Sequence, residues 1–243
     1  MKILLHVCCG PCSTVPIEEF TSEGHELAIF YSNSNIHPKA EYVLRRDTAA
    51  KYAGEKGIPF YEGDYDPNNW IEAVGDCRKY GVERCSRCYR MRFAETADFA
   101  VEWGADAIAS SLTISPYQFT NAINRELEEA AQKVGIQAIE SDYRSRYHDS
   151  VVLSRAAGMY RQNFCGCMYS QVEAQEQRDA AKAKRLVERA RRRVARGEKA
   201  AREAMAAAPE LIARMEAADA REAAAADGNA FGEARGTMAG MGD

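Results

Sequence analysis

Cysteine is the residue type in this 243-residue sequence whose number and spacing point most directly to chemistry. The sequence contains eight cysteines, which form three groups and one isolated position, namely Cys8, Cys9, Cys12, Cys77, Cys85, Cys88, Cys165 and Cys167. In a reducing cytosol, thiols serve as metal ligands or redox groups more often than as structural disulfides. The sequence therefore predicts a metal or redox site, and the isolated Cys77 is predicted to be an inert thiol.

Two of these groups suit a Cys₄ iron–sulfur site. Cys85 and Cys88 form a C-x-x-C pair at the start of a predicted helix, where backbone N–H groups stabilise thiolate charge. Adjacent residues such as Cys8 and Cys9 are poor disulfide partners for each other. They are better suited to bind different corners of a polynuclear cluster. A structural Cys₄ zinc site and free thiols are the alternatives for these four residues.

The remaining cysteine motifs suggest dithiol chemistry. Residues 9–12 read Cys-Gly-Pro-Cys, the active-site motif of thioredoxin, so a thiol–disulfide oxidoreductase that uses Cys9 and Cys12 is one alternative function. Cys165 and Cys167 form a C-x-C pair, which either binds metal or forms a strained, redox-active disulfide. Alternatively, Cys165 and Cys167 have no chemical role and are small apolar side chains buried in the core.

The elements that must position these thiols alternate between strands and helices. Apolar runs predict strands at residues 3–7, 27–31, 58–61, 106–111 and 137–140, and helical periodicity predicts helices at 39–55, 88–103 and 121–134. This pattern predicts an α/β fold with a mostly parallel five-stranded sheet and helices on both faces. Ligands of such sheets bind beyond the carboxyl ends of the strands, and the first predicted strand ends directly before Cys8.

Composition divides the chain near residue 177. Residues 1–177 contain 18 basic and 25 acidic residues, whereas residues 182–202 contain 10 basic and 2 acidic residues. We therefore expect a catalytic α/β domain at 1–177 and a helical tail at 178–243 that becomes disordered from about Asp227. The tail is either a solvated helix or a basic helix that contacts RNA phosphates.

Several absences narrow the class of protein. The sequence contains neither a P-loop nor a strand-linked G-x-G-x-x-G motif, so ATP and NAD binding have no support. It contains no secretory signal and no apolar run long enough to span a bilayer. These observations predict a cytoplasmic protein without a membrane partner.

Five sequence blocks resemble the QueH-type epoxyqueuosine reductases. Together they extend over about residues 2–175, and they lie at residues 4–12, 33–42, 85–92, 112–116 and 160–167. The resemblance implies the last step of queuosine synthesis, in which the epoxide of epoxyqueuosine is reduced at the wobble position of tRNAs with GUN anticodons. It also implies a fold that resembles the adenine nucleotide alpha-hydrolase, or PP-loop, topology.

The resemblance further implies roles for individual cysteines. By position, a 4Fe-4S cluster would be held by Cys8, Cys9, Cys85 and Cys88, and the redox-active pair would be Cys165 and Cys167. Cys12 is the candidate ligand of one additional iron. Removing an epoxide oxygen as water takes two electrons and two protons, together with a Lewis acid or a general acid for the leaving oxygen. We expect iron to polarise that oxygen, while the cluster and the dithiol pass on electrons from an external donor.

Substrate contacts are expected from four residues, namely His37, Tyr89, Arg92 and Ser115. His37 is either a proton donor or a cap of its loop.

A basic stretch around the C-x-x-C pair interleaves arginines with Tyr80 and Tyr89, which are suited to stacking on a splayed anticodon base. The alternative for these arginines is that they are solvated on a helix face. For the whole protein, the second alternative function is a zinc-stapled RNA-binding module. The stretch comprises Arg78, Lys79, Arg84, Arg87, Arg90 and Arg92.

Overall fold

The computed structural model describes residues 1–77, 81–197, 199–206, 208–210 and 212–221, and a parallel β-sheet forms the centre of this part of the chain. The strands are β1 (Lys2–His6), β2 (Glu26–Tyr31), β3 (Phe60–Glu62), β4 (Ala107–Ser110) and β5 (Gln137–Ile139). The helices are α1 (Gly10–Ser22), α2 (Lys39–Glu55), α3 (Pro67–Val74), α4 (Val82–Trp103), α5 (Thr120–Val134), α6 (Tyr147–Ala156), α7 (Met168–Ala195) and α8 (Lys199–Ala206).

The sheet has the strand order β3-β2-β1-β4-β5, and all neighbouring strands pair in parallel. β1 is the central strand, with Leu4 paired to Ala28 of β2 on one side and to Ile108 of β4 on the other. The direction of chain winding reverses at β1, which makes its carboxyl end the expected ligand site of an open α/β sheet. The predicted five-stranded parallel α/β fold is confirmed.

Apolar side chains cover both faces of the sheet, because successive strand residues point to opposite sides. Leu4 and Phe30 belong to one buried cluster, together with Phe93 of α4 and other residues of α4 and α5. Leu5 and Ile29 belong to a second cluster, which residues of α1 and α2 complete. Helices therefore lie on both faces, as predicted.

Of the two helices near the cysteines, α1 was not predicted and α4 begins earlier than predicted. The segment from Cys8 to Cys12 is a strand-to-helix junction rather than a loop, since α1 begins at Gly10 with Cys9 as its N-cap. Helix α4 begins at Val82, six residues before its predicted start, so the C-x-x-C pair occupies the first two turns of α4. Both cysteine motifs are consequently held by the amino-terminal ends of helices.

A long helix leads out of the α/β body. Helix α7 has 28 residues and runs through the predicted boundary at residue 177, so the division into domains at 1–177 and 178–243 remains a prediction. Helix α8 packs on α7, and residues 212–221 return to it through ion pairs such as Lys184–Asp219. The predicted disorder from Asp227 lies outside the described residues. Among the described residues, no helix combines the length and apolar character needed to cross a membrane.

Candidate functional site

The first cysteine group lies where β1 ends and α1 begins. The Sγ atoms of Cys8, Cys9 and Cys12 all lie within 4.8 Å of one another. Gly10 lets α1 approach α2 closely, because a Cβ atom at this position would lie 2.9 Å from Cγ2 of Thr48. Three thiols this close together can bind one metal ion, so the structure supports a metal site at the carboxyl end of β1.

Cys9 is the residue of this group that most favours the thiolate form. Burial opposes its ionisation, but hydrogen bonds from Cys12 and Cys8 and the charge of Arg45 hold the pKa of Cys9 well below its usual value. The Cys12 contact lowers the pKa of Cys8, whereas the Cys9 contact and burial raise it to about 11. Gln162 Nε2 donates a hydrogen bond to Cys9 Sγ at 2.7 Å. Since the thiolate is the metal-binding form of cysteine, these contacts fit a ligand role for Cys9.

A neighbouring pocket brings the C-x-x-C and C-x-C pairs together. Cys165 is exposed, whereas Cys88 and Cys167 are buried. Burial raises the pKa of Cys88, while the Arg92 charge lowers it. The pocket therefore has an exposed thiol at its mouth and less accessible thiols behind it. Its lining includes Cys85, Cys88, Cys165, Cys167, Asn35, Trp70, Tyr89, Arg92, Tyr117 and Gln118.

Arg92 connects the two cysteine groups. Its side chain is 1% exposed, and its Nη2 donates to Asn33 Oδ1 at 2.6 Å. Nη1 lies 4.0 Å from Cys88 Sγ. Although burial disfavours its charge, the Cys88 and Cys8 thiols raise the pKa of Arg92. A permanent positive charge thus faces both groups, which favours thiolates in each.

Arg45 holds the C-x-C segment against α2. Its side chain is 1% exposed, and Nη1 and Nη2 donate to the backbone oxygens of Cys165 and Phe164 at 2.8 and 3.1 Å. Its Nε donates to Glu41 Oε1 at 2.7 Å, and Glu41 also accepts from the Tyr160 hydroxyl. Arg45 therefore fixes the main chain of the C-x-C segment. Nothing in the local sequence indicated this role.

Gly166 and His37 complete the anchoring of the C-x-C segment. The His37 backbone N–H donates to the Gly166 oxygen at 2.8 Å. Gly166 has φ of 132°, and an added Cβ would lie 3.0 Å from Ile36 Cγ1 and 3.1 Å from Arg45 Nη1. Only glycine combines this conformation with such close packing. The main chain between the two cysteines is therefore held in one arrangement.

Cys167 begins the long helix α7. It is the N-cap residue, and its Sγ accepts a hydrogen bond from the Ser170 N–H at 3.4 Å. Burial and the neighbouring Cys165 thiol raise the pKa of Cys167 to about 11. One turn later, Glu173 accepts two 2.7 Å hydrogen bonds from Arg84 of α4. The start of α7 is thereby tied to the helix that contains the C-x-x-C pair.

The expected substrate residues lie around the pocket, and their roles remain predictions. His37 stacks at a tilt on Trp70, with ring centres 5.5 Å apart. Tyr89 is 2% exposed and donates its hydroxyl hydrogen to Gln118 Oε1 at 2.6 Å, so its ring has no face open for a base. Ser115 Oγ accepts from the Tyr117 N–H at 3.3 Å.

Much of the expected basic stretch is engaged in ion pairs. Arg87 pairs with Glu83 on α4, and Arg90 pairs with the buried Glu126 of α5. Arg84 pairs with Glu173, as described above. These contacts favour a structural role for the three arginines. Residues 78–80, which include Tyr80, lie outside the described part of the chain.

One buried polar atom of the pocket fits a bound group. Asn35 is 2% exposed, and its Oδ1 has no hydrogen-bond partner among the described residues. Leaving such an atom unpaired costs on the order of 1–3 kcal/mol, and a bound group that donates a hydrogen bond to Asn35 Oδ1 would remove this cost. The parallel sheet and this pocket define a doubly wound α/β protein with a thiol-rich site whose residues suit metal binding and redox chemistry.

Comparison with known proteins identifies the family. A sequence model described as "Epoxyqueuosine reductase QueH" matches residues 3–173. A relative of that name from Haemophilus influenzae is 34% identical over 196 residues, which cover 76% of this chain and 78% of the relative. The chain therefore belongs to the epoxyqueuosine reductase QueH family and is an oxidoreductase. This confirms the resemblance of the five sequence blocks.

Two other relatives of the same name agree with this assignment. Epoxyqueuosine reductase QueH from Streptococcus pyogenes is 35% identical over 179 residues, covering 70% of each chain. The Thermotoga maritima protein of the same name is 30% identical over 190 residues, covering 75% of this chain and 97% of the relative. A solved structure, a predicted subunit of tRNA methyltransferase from Methanocaldococcus jannaschii, is 14% identical with a TM-score of 0.42, covering 61% of this chain and 75% of that one.

Proposed function

We propose that this chain reduces the epoxide of epoxyqueuosine to the cyclopentene of queuosine at the wobble position of tRNAs with GUN anticodons. Membership of the epoxyqueuosine reductase QueH family supports the reaction class. The observation that carries the proposal is the pocket in which the exposed Cys165 meets the half-buried Cys85 and the buried Cys88 and Cys167. The exposed thiol of Cys165 is accessible to a substrate as large as tRNA, and the thiols behind it suit electron transfer.

Oxidation of the C-x-C pair supplies the same number of electrons and protons as reduction of the epoxide consumes. Reduction of an epoxide to an alkene consumes two electrons and two protons, breaks two C–O bonds and releases one water. Oxidation of the Cys165–Cys167 dithiol to a disulfide supplies both electrons and both protons. An external electron donor then reduces the disulfide for the next turnover. Arg45 and Gly166 hold the main chain of the pair in place during this cycle.

The residues present fit a 4Fe-4S cluster held by Cys8, Cys9, Cys85 and Cys88. All four are soft thiol ligands, and Arg92 places a positive charge beside Cys8 and Cys88. A bound cluster would supply single electrons at low potential. Gln162 would orient Cys9 through the hydrogen bond to its sulfur. Cys12, whose sulfur lies with those of Cys8 and Cys9, is the proposed contributor to one additional iron.

Anaerobic purification tests the metal site. We expect a brown protein with broad absorption near ~400 nm and about four irons per chain, as for a Cys₄ cluster. A colourless protein with one zinc would instead indicate a zinc-stapled module. A metal-free protein that reduces disulfides of unrelated proteins would indicate a thiol–disulfide oxidoreductase that uses Cys9 and Cys12.

Reduction of epoxyqueuosine in tRNA tests the reaction. The purified protein, a chemical reductant and tRNA isolated from cells that accumulate epoxyqueuosine should yield queuosine, detected by mass spectrometry of the nucleosides. Cys165→Ser and Cys167→Ser should each abolish multiple turnovers, because the dithiol can no longer form a disulfide. Cys77→Ser is the matched control and should retain activity. Full multiple-turnover activity of either pair variant would contradict the role of the dithiol.

A further inference from the structure

Two tyrosines stand at the rim of the pocket. Tyr117 lines the pocket beside Cys165, and 72% of its surface is exposed. The Tyr117 ring contacts Tyr147 edge to face, with ring centres 6.4 Å apart and an interplanar angle of 89°. Such an aromatic surface has one edge at the reactive thiol and the other in solvent. This places it where the part of a substrate outside the pocket must pass.

Hydrogen bonds fix Tyr117 to the site. Its backbone N–H donates to Ser115 Oγ at 3.3 Å, and Gln118 N–H donates to the Ser115 backbone oxygen at 3.2 Å. The Gln118 side chain donates to Cys165 Sγ at 3.3 Å and accepts from Tyr89. The turn at residues 115–118 is thus tied directly to the exposed thiol. Tyr117 is exposed, yet its backbone has a defined position.

A positive charge accompanies the aromatic pair. Arg161 is exposed and precedes Gln162, whose amide donates to Cys9 Sγ. Burial raises the pKa of Tyr147, and the neighbouring side chains of Tyr117 and Cys12 raise this pKa further. The charge of Arg161 lowers it, so Arg161 lies within electrostatic range of the tyrosine pair. In the part of the chain that the structure describes, Arg161 has no carboxylate partner. Its guanidinium is therefore available to an anionic ligand.

We propose that Tyr117 and Tyr147 form a stacking surface for the anticodon-loop base next to the base that reacts, and that Arg161 binds a phosphate of the same strand. This inference rests on the proposed function, because it assumes an RNA substrate. Unpaired bases stack on exposed aromatic rings, and arginine pairs with the phosphates between them. The reacting base itself enters the pocket towards Cys165, so its neighbour is the base that reaches the rim.

Kinetics with an anticodon stem-loop RNA test the stacking surface. Tyr117→Ala should raise KM about 10-fold and change kcat less than KM, since stacking of one base on an aromatic ring contributes this much to binding. Tyr117→Phe keeps the ring and should restore KM towards the wild-type value. Val101→Ala, at a 52% exposed position of α4, is the matched control. An unchanged KM in Tyr117→Ala would overturn the proposal.

Binding of a fluorescent RNA gives a second measurement that requires no reaction. A stem-loop with 2-aminopurine next to the wobble position should be quenched when it binds to wild type and to Tyr117→Phe, and much less so with Tyr117→Ala. Absence of quenching with saturating wild-type protein, or equal quenching with Tyr117→Ala, would overturn the proposal. If the wild type quenches the RNA but leaves epoxyqueuosine unreduced, the stacking surface is supported and the proposed function fails.

Discussion

At the scale of the residue, two buried arginines govern the surroundings of the thiols. Arg92 faces Cys88, and its charge acts on Cys8, whereas Arg45 binds the backbone oxygens of the C-x-C segment and its charge acts on Cys9. Guanidinium groups remain charged even when buried, because their intrinsic pKa is very high. Each cysteine group thus has a fixed cation beside it that does not depend on pH in the working range.

Replacement of Arg45 should destabilise the protein strongly. Arg45→Met removes three hydrogen bonds and leaves Glu41 without its buried cation, so we expect a loss of about 3–5 kcal/mol in the free energy of unfolding. Urea denaturation measures this loss. Arg46→Met is the control, because Arg46 lies on the same helix at the surface and its ion pairs contribute about 1 kcal/mol or less. Equal effects of the two substitutions would contradict the anchoring role.

Gly166→Ala should disturb the redox pair more than an equivalent change elsewhere. The added methyl group meets Ile36 and Arg45 in a conformation that side chains rarely adopt, so we expect a loss of about 2–4 kcal/mol and slower formation of the Cys165–Cys167 disulfide. Gly158→Ala is the matched control, because φ is 61° there and nothing lies within 4 Å of the added Cβ. Its cost should be about 1 kcal/mol. Thermal unfolding and thiol titration measure both effects.

The sequence indicates the cysteines but not the residues that position them. Cysteine motifs have recognisable spacing, and the contact of Cys8, Cys9 and Cys12 follows from the helix that begins at Gly10. Arg45 could not be identified, because its partners are backbone oxygens 119 and 120 residues away in the chain. No local pattern records such a contact. Tyr89, which the sequence offered for stacking, has a buried ring because α4 turns it towards Phe93.

At the scale of the element, the three central strands β1, β2 and β4 were predictable because each is a short apolar run that is almost entirely buried. Helix α2 was predicted with its observed ends, Lys39 and Glu55. Helix α1 was not predicted, since its first turn contains Gly10 and Pro11 and Pro16 lies inside it. Glycine and proline usually mark loops, but proline is tolerated in the first turn, where its missing N–H has no partner in any case.

The link between α4 and α7 should contribute measurably to stability. Glu173→Gln weakens the paired hydrogen bonds with Arg84, and we expect a loss of about 1–3 kcal/mol, since these bonds involve two charged groups at a position where Arg84 is 2% exposed. Hydrogen exchange should also increase in the first turns of α7. Glu188→Gln, in an exposed pair with Arg192, is the control and should cost less than about 0.5 kcal/mol. Unchanged exchange near Cys167 would show that the link does not hold the helix start.

At the scale of the whole molecule, the charge of the tail is partly neutralised within the tail. Residues 182–202 are strongly basic, yet α7 forms ion pairs with acidic and basic residues of the returning segment, including Lys184–Asp219 and Glu176–Arg221. Ala180, Ala183 and Val187 of α7 are buried. These contacts favour a self-contained helical unit over a helix that is free to lie along RNA.

Truncation after residue 177 should therefore leave catalysis largely intact. The shortened chain retains the cysteines, the family match to residue 173 and the Arg84–Glu173 link. We expect KM for the RNA stem-loop to change less than about threefold and its dependence on salt to stay the same, since few phosphate contacts are lost. A large rise in KM together with a weaker salt dependence would assign RNA phosphate contacts to the tail.

The hydrogen bond between Gln162 and Cys9 joins residues that are 153 positions apart in the chain. A ribosome adds roughly 5–20 residues per second, so Cys9 is synthesised roughly 8–30 s before Gln162. During that interval the thiols at the end of β1 lack the segment that later covers them. The first cysteines of a nascent chain therefore have to stay reduced until the segment that contains Gln162 has been synthesised and can pack against them.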